Sequence, residues 1–512
     1  MNMDSNGMKK GTKISRDLLP VTLAEKNAGT LGYFNVWIGI GIIIATFAVG
    51  GEAAYYCNLK QIAVAAVIGT FFLGCFFCIS SDIGVEHGIS FPIYVAAILG
   101  KRGTILPNVL RSIYGPIWFG VQSYFGAMTI NQIVVIFTGY DNWKLWFIIF
   151  VIVQVVNTAC GFGAMEKVAN IAAPTIILIG IYLVFRLLHM AELNGIDAWN
   201  SVYADTGSKI ACGNANALLY IMMLGLNYWA DNACEVETWS RYVKTDKGEK
   251  SLFKRNKRAI PGYLIALPLA SGFMIFLGAL STFVTGNYNP IEAVSAITEN
   301  PIVLTFLLVM IVMAQYHNTS RQKAESSGWK TPLTMVNECS VQPDAQWSVH
   351  YCTFKSKMPY WMRVCVCGFI GAVIQPWILI DHIGVFLTVT GSLWSTMYGM
   401  TIVDFFFIRK HKINVPDLYK ENGGQYAYAK GFNPAGMISF VIGLAACILL
   451  PSIAFFAGSV VSGISYYALM HVWILKKYPQ KELGIEQDRY SGISGGREWI
   501  YDDETNSVKS SI

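Results

Sequence analysis

The sequence predicts an all-α polytopic membrane protein with about twelve transmembrane helices. Three observations predict it. Of 512 residues, 54% are hydrophobic and only 14% charged, against about 25% charged in a soluble protein. The apolar residues come in runs of about twenty, long enough to cross a hydrocarbon core of roughly 30 Å. Lys and Arg gather in alternate connections between those runs, as they do in cytoplasmic loops. A large soluble enzyme with buried helices is excluded, because so few charges cannot coat so many apolar runs.

Spans are expected near residues 31–53, 61–85, 107–137, 144–163, 166–188, 210–234, 260–285, 300–316, 359–380, 383–408, 433–454 and 455–475. The connections test that map. The tail 1–30 is basic, with Lys9, Lys10, Lys13, Arg16 and Lys26. It lacks a short apolar stretch followed by a cleavage site, so the first span itself directs insertion. On the same side fall Lys101 and Arg102, a lone Lys167, and a dense cluster from Arg241 to Arg258. Arg321 to Lys357, Arg409 to Lys430 and the pair Lys476 and Lys477 follow. The opposite connections are poor in basic residues, and the one after the fifth span carries Glu192, Asp197 and Asp205. A missing or extra span would break this alternation, so both termini, including the tail 476–512, are expected in the cytoplasm. The expected membrane is the plasma membrane.

The net charge of +6 is no nucleic-acid signal, because the basic residues are spread over alternate loops. Eleven cysteines lie mostly inside apolar runs. Cys75 and Cys78 form a C-x-x-C on a membrane helix with no histidine beside it, which reads as packing and not as metal or redox chemistry. No nucleophile elbow, P-loop, dinucleotide fingerprint or H-E-x-x-H is present. The protein is therefore not expected to be an enzyme, to hold a cofactor or metal, or to drive transport by its own ATP hydrolysis. Its partners are membrane lipid and a small solute.

Polar groups inside spans are costly and usually face a cavity or a partner helix. Three stretches carry them. In the first span, Gly39 and Gly41 weaken the helix. Either unwound backbone offers carbonyl oxygens to a cation, or the glycines allow close helix packing. In the third span, Trp118 and Gln122 are four apart and share a helix face. An indole plate beside an amide suits a flat heterocycle, which stacks on the ring while the amide bonds its edge. Alternatively the Trp sits at the interface and the Gln bonds a neighbouring helix. In the sixth span, Asn227, Tyr228 and Trp229 follow Gly225. They are either site residues or an interfacial aromatic belt. Asp82, Glu86, His87 and Arg111 invite a proton-relay reading. They lie near the basic end of the second and third spans, so solvated or surface pairing is expected instead. Asp404 likewise reads as structural, while Asp231 and Glu235 stay open.

These residues, in order, resemble the nucleobase–cation symporter-1 family, whose members are hydantoin, uracil, allantoin, cytosine and some vitamin permeases. The resemblance runs from Asp17 to about Lys477. It is carried by Asp17-Leu18-Leu19-Pro20, Gly88-Ile89-Ser90-Phe91-Pro92, Trp118-Phe119-Gly120-Val121-Gln122, Pro376-Trp377, Asp404-Phe405-Phe406, Asp417-Leu418-Tyr419 and the stretch from Tyr426 to Asn433. It implies two inverted five-helix repeats, here 31–188 and 210–408, followed by two C-terminal helices over 433–475. It implies a substrate near the midplane, stacked on Trp118 and bonded by Gln122 and Asn227. The second stacking aromatic falls on Tyr228 or Trp229. The carbonyls of Gly39 and Ile42 match positions that bind sodium in sodium-coupled members.

The eighth span departs from the family. Where relatives carry a hydroxyl pair, an Asn and a second Asn four residues later, this chain has Tyr316, His317, Asn318 and Gln322. The stretch 317–358 is polar and reads neither as membrane nor as a family loop. An inserted loop, a shifted frame or retained intron in the gene, or a decaying gene would each produce it. Imidazole is a poor ligand for a hard cation, so the substitution at His317 points to proton coupling. The resulting expectation is a symporter importing a nucleobase or related planar nitrogen heterocycle with a proton or a sodium ion. Asn318 and Gln322 would contact substrate, and Gly39, Ile42 and His317 the ion. The alternative is a transport-inactive member acting as a nutrient receptor, or an inert product of a disrupted gene.

Overall fold

The computed structural model describes residues 18–42, 44–160, 165–203, 214–287, 289–297, 300–305, 308–309, 360–420, 424–505 and 507–511. In chain order the helices that matter here are α1 Thr30–Gly41, α2 Ile44–Ala54, α3 Leu59–His87, α4 Phe91–Leu99, α5 Ile105–Thr138, α6 Trp143–Cys160 and α7 Met165–Leu193. They are followed by α8 Asn214–Tyr228, α9 Ala230–Glu235, α10 Glu237–Ser240, α11 Leu252–Asn256, α12 Leu267–Thr285 and α13 Pro290–Ile297. The last are α14 Tyr360–Val373, α15 Pro376–Asp381, α16 Ile383–Ile402, α17 Val415–Leu418, α18 Pro434–Leu449 and α19 Ala454–Leu469. A short antiparallel hairpin, β1 Glu498–Asp502 with β2 Ser507–Ser511, closes the chain. The molecule is otherwise built of packed helices, as the apolar runs require: in lipid a helix satisfies its own backbone.

Among the described residues, Leu59–His87, Gly262–Thr285 and Pro451–Lys477 are continuous helical stretches long and apolar enough to cross a membrane. The pair Thr30–Gly41 and Thr46–Ala54, bent by 50°, makes a fourth. Several expected spans are interrupted instead. The first breaks after Gly41, and the sixth breaks at Trp229, between α8 and α9. The stretch 359–380, expected as one span, is two helices. Pro376 cannot continue a helix and constrains the residue before it, and Gln375 adopts a left-handed φ of 55°.

Helices meet through small residues. A Cβ on Gly50 would fall 1.9 Å from the Ile275 carbonyl, and one on Gly278 would fall 1.9 Å from that of Phe47. The α2 and α12 backbones are therefore in contact. Gly399 does the same against Ser459, seating α19 on α16. Such approach replaces the hydrophobic drive that helices lack in lipid.

The Lys/Arg-rich end is tied by buried ion pairs. Asp82 of α3 accepts two hydrogen bonds from Arg255, at 2.6 and 2.9 Å, and one from Asn256 at 2.7 Å. Glu86 meets Arg255 at 3.1 Å. It also accepts from the Gly492 amide at 3.0 Å and the Ser494 hydroxyl at 2.5 Å. Trp499 Nε1 lies 3.3 Å from His87 Nδ1, whose Nε2 lies 2.9 Å from the His411 carbonyl. The His87 tautomer follows: Nδ1 accepts and Nε2 donates. Arg409 pairs with Asp404 at 2.6 Å and with Glu482, and Tyr94 and Tyr466 donate to Asp404. Nearby, Lys26 donates to the carbonyls of Gly84, Val85 and Arg241. The expectation of solvated or surface pairing for Asp82, Glu86, His87 and Arg111 is corrected here: all four are buried. For Glu86 and His87 the cause is the C-terminal segment, whose Gly492, Ser494 and Trp499 fold back onto them; Asp82 is covered by Arg255, Asn256 and His411, and Arg111 by Asp231 and Glu235.

Candidate functional site

Helix α5 carries Tyr114, Trp118 and Gln122 at spacings of four, hence on one face. Its opposite packing is fixed by Gly120, where a Cβ would sit 2.3 Å from the Gly371 carbonyl of α14. Trp118 is 1% exposed and Gln122 2%, so the interfacial reading of Trp118 fails. Both amide atoms of Gln122, the Trp118 Nε1 and the Ser123 hydroxyl have no hydrogen-bond partner among the described residues. Among the described residues, no neighbouring helix bonds Gln122. A buried polar group left unpaired costs roughly 1–3 kcal/mol, so the fold keeps this amide open at some expense.

Helix α8 brings the second set. Its last residues are Asn227 and Tyr228, and Trp229 leaves helical geometry at φ −100°, ψ 8°. Tyr228 meets Trp118 edge-on, with centroids 5.3 Å apart and planes at 82°. Trp229 packs on Tyr228 at 5.0 Å. Of the two candidates for second aromatic, Tyr228 is thus the one that touches Trp118. Helix α16 supplies the third side. Phe386 lies 5.7 Å from Trp118 and stacks on Tyr114 at 6.0 Å. Gly391 makes room for Asn227, because a Cβ there would stand 2.4 Å from Asn227 Oδ1. That oxygen also has no hydrogen-bond partner among the described residues.

A cavity of about 830 Å³ reaches Asn227 from the end opposite the ion-pair network; Glu52, Tyr56, Tyr220, His382 and Thr388 help line it. Sequence reasoning missed these residues and Phe386. The available signal was Glu52, an acid at the far end of the first span. It also missed Gln154 of α6, a second buried amide with neither end paired among the described residues.

The break between α1 and α2 ends the helical ladder at Ile42, whose amide donates to the Ile38 carbonyl at 3.2 Å. Carbonyls in the last turn then lose their usual donors. Ser271 of α12, also without a hydrogen-bond partner among the described residues, lies beside Gly41. A Cβ on Gly41 would meet its hydroxyl at 3.1 Å and Ala270 at 2.5 Å. The two readings of the glycines are thus compatible: Gly41 packs closely, and the backbone beyond it opens. The oxygens of Gly39, Ile42 and Ser271 suit a hard cation in kind. His317, Asn318 and Gln322 lie outside the described residues, as does the whole polar stretch 317–358.

Residues 20–474 match a family of permeases for cytosine/purines, uracil, thiamine and allantoin. This chain belongs to that family. Among its relatives, the hydantoin permease of Microbacterium maritypicum is 23% identical over 468 residues, covering 90% of this chain and 89% of the relative. The putative allantoin permease of Escherichia coli (strain K12) is 23% identical over 488 residues, covering 89% and 94%. Among solved structures, the inward-facing conformation of Mhp1 matches this permease with a TM-score of 0.78 at 22% identity, covering 91% of this chain and 95% of that one. The closed conformation of Mhp1, a nucleobase-cation-symport-1 family transporter with bromovinylhydantoin bound, matches with 0.76 at 22% identity, covering 91% and 97%. The permease is therefore an integral membrane protein with the Mhp1 fold. Its family and neighbours are transporters and not enzymes.

Proposed function

We propose that this permease imports a planar nitrogen heterocycle of the nucleobase, allantoin or hydantoin type by proton-coupled symport with alternating access. One observation carries the reading: a buried Gln122 amide, without a partner among the described residues, stands one helical turn from Trp118, which meets Tyr228 edge-on. A lactam or ureide edge offers the donor and acceptor that this amide lacks, and its flat face suits the indole. Pairing this buried amide with such an edge would contribute roughly 1–3 kcal/mol. The relatives named for hydantoin and allantoin support the substrate class.

The permease then has about twelve spans in two inverted repeats with two further helices, and both termini in the cytoplasm. The ion-pair network is its inner seal, and the cavity lined by Glu52 and Tyr220 opens outward. Proton coupling is favoured by the buried acids beside the broken sixth span and by His317. Sodium at Gly39, Ile42 and Ser271 is the competing ion.

Uptake of radiolabelled uracil and allantoin, competed by a panel of heterocycles, tests the reading in proteoliposomes with imposed proton or sodium gradients. Accumulation driven by an acidic exterior and saturable by one heterocycle is expected. Uptake that requires sodium and ignores proton uncouplers would reject proton coupling. Binding without accumulation would make the protein a receptor.

A further inference from the structure

Three carboxylates crowd the stretch just past the break in the sixth span: Asp231 is 1% exposed, Glu235 4% and Glu237 0%. One cation serves them. Arg111 of α5 meets Asp231 at 2.7 Å and Glu235 at 3.4 Å. Among the described residues, no other residue gives either oxygen of Glu237 a hydrogen bond. Every other buried carboxylate among the described residues is paired: Asp82 and Glu86 with Arg255, Asp404 and Glu482 with Arg409, and Asp417 with Lys420.

Charge balance decides what this means. An ionised carboxylate buried with no partner is far costlier than its neutral acid. A single guanidinium cannot balance three carboxylates in such surroundings. The segment therefore holds a proton in this conformation, and the unpaired Glu237 is where it is cheapest to keep. Among the described residues, the titratable side chains facing Glu237 are Glu235 and Cys234 on its own segment and Tyr398 from α16. None is a cation. Water is shut out on the α3 side: a Cβ on Gly84 would come within 2.4 Å of the Glu237 carbonyl and 2.5 Å of the Ser240 hydroxyl.

The position links this proton to the candidate site. Asn227 and Tyr228 close α8 immediately before the break, and the acids follow it. Arg111 sits seven residues before Trp118, two turns along the same helix. Any movement of α5 against α9 must re-pair Arg111, the cation of the segment that also carries Glu237.

We propose that Glu237 is the residue that carries the coupled proton, an assignment that rests on the proton-symport reading above. The carboxylate takes a proton from water on the outer side, holds it as the neutral acid in the sealed conformation, and returns it to inner water when the α3–α10 contact parts. No other bond changes.

Two measurements on the full-length protein test it. Infrared difference spectra between neutral and strongly alkaline pH should show the carbonyl band of a buried protonated acid in wild type, and Glu237→Gln should remove that band. In proteoliposomes, wild type should accumulate radiolabelled allantoin above equilibrium under an acidic exterior. Glu237→Gln, which mimics the neutral acid, should fall to the equilibrium level while keeping allantoin self-exchange within about threefold of wild type. Glu235→Gln should keep accumulating. Accumulation by Glu237→Gln equal to wild type, or an unchanged infrared band, overturns the assignment. If wild type exchanges allantoin but ignores the proton gradient, proton symport itself fails. The infrared band then reports separately whether Glu237 is protonated.

Discussion

The two ends of the polar interior are built on opposite terms. At the Lys/Arg-rich end, Asp82, Glu86, Asp404 and Glu482 are each matched by a guanidinium and by further donors. Around Trp118, the Gln122 amide and Asn227 Oδ1 are as deeply buried yet lack partners among the described residues. A chain that can satisfy carboxylates this fully at one end has no chemical difficulty in satisfying an amide at the other. The difference is what the proposed function uses: paired groups hold the fold, and the groups without partners among the described residues are those proposed to meet the substrate.

The sharpest way to break that contrast is to exchange the expected phenotypes. Arg255→Ala leaves Asp82 and Glu86 buried without their cation. It should cost about 3–5 kcal/mol, read as lost folded protein in size-exclusion chromatography and a lower thermal midpoint. Gln122→Leu should do the reverse: an equal or higher thermal midpoint, with the apparent binding constant for substrate raised roughly 10- to 100-fold. Comparable destabilisation in both variants would erase the distinction. Gly391→Ala comes next. Its methyl overlaps Asn227 Oδ1, so uptake should fall several-fold at unchanged surface expression. Tyr228→Leu against Trp229→Phe refines the aromatic side: only the first removes the ring that touches Trp118, and only it should weaken binding by about tenfold.

The smallest effect concerns the C-terminal hairpin. Hydrogen bonds from Lys509 and Thr505 hold the Asp502 carboxyl below its ordinary range. A depressed acid stabilises the fold above its unfolded pKa and ceases to do so as pH falls through its folded value. The protection of β1 and β2 amides relative to their intrinsic exchange rates should therefore be flat from neutrality to about pH 4 and fall only below it. Loosening that begins near pH 6 would assign the hairpin's stability elsewhere.

Much of this was legible in the linear chain. Trp118 and Gln122 declare a shared face by their spacing, because helical periodicity is local. The break at Gly41 and Ile42 was foreshadowed by two glycines. Other features were hidden because they depend on what lies across the gap. Whether Tyr228 or Trp229 meets Trp118 turns on one residue of helical rotation. Arg111 and Asp231 are 120 positions apart, and Asp82 finds its partners 173 and 329 positions away. From sequence, an acid near a span end looks solvated until the segment that covers it is seen.

By itself, then, the sequence determined that the chain is helical, apolar and membrane-embedded, and that one helix face joins an indole to an amide. Those properties follow from composition and from periods of a few residues. Only the tertiary structure decided which buried polar groups are paired. Among the described residues, it left Gln122 and Glu237 without partners while it closed Asp82, Glu86 and Asp404. Pairing is a matter of distance and desolvation between segments far apart in the chain, and no local pattern of residues carries that information.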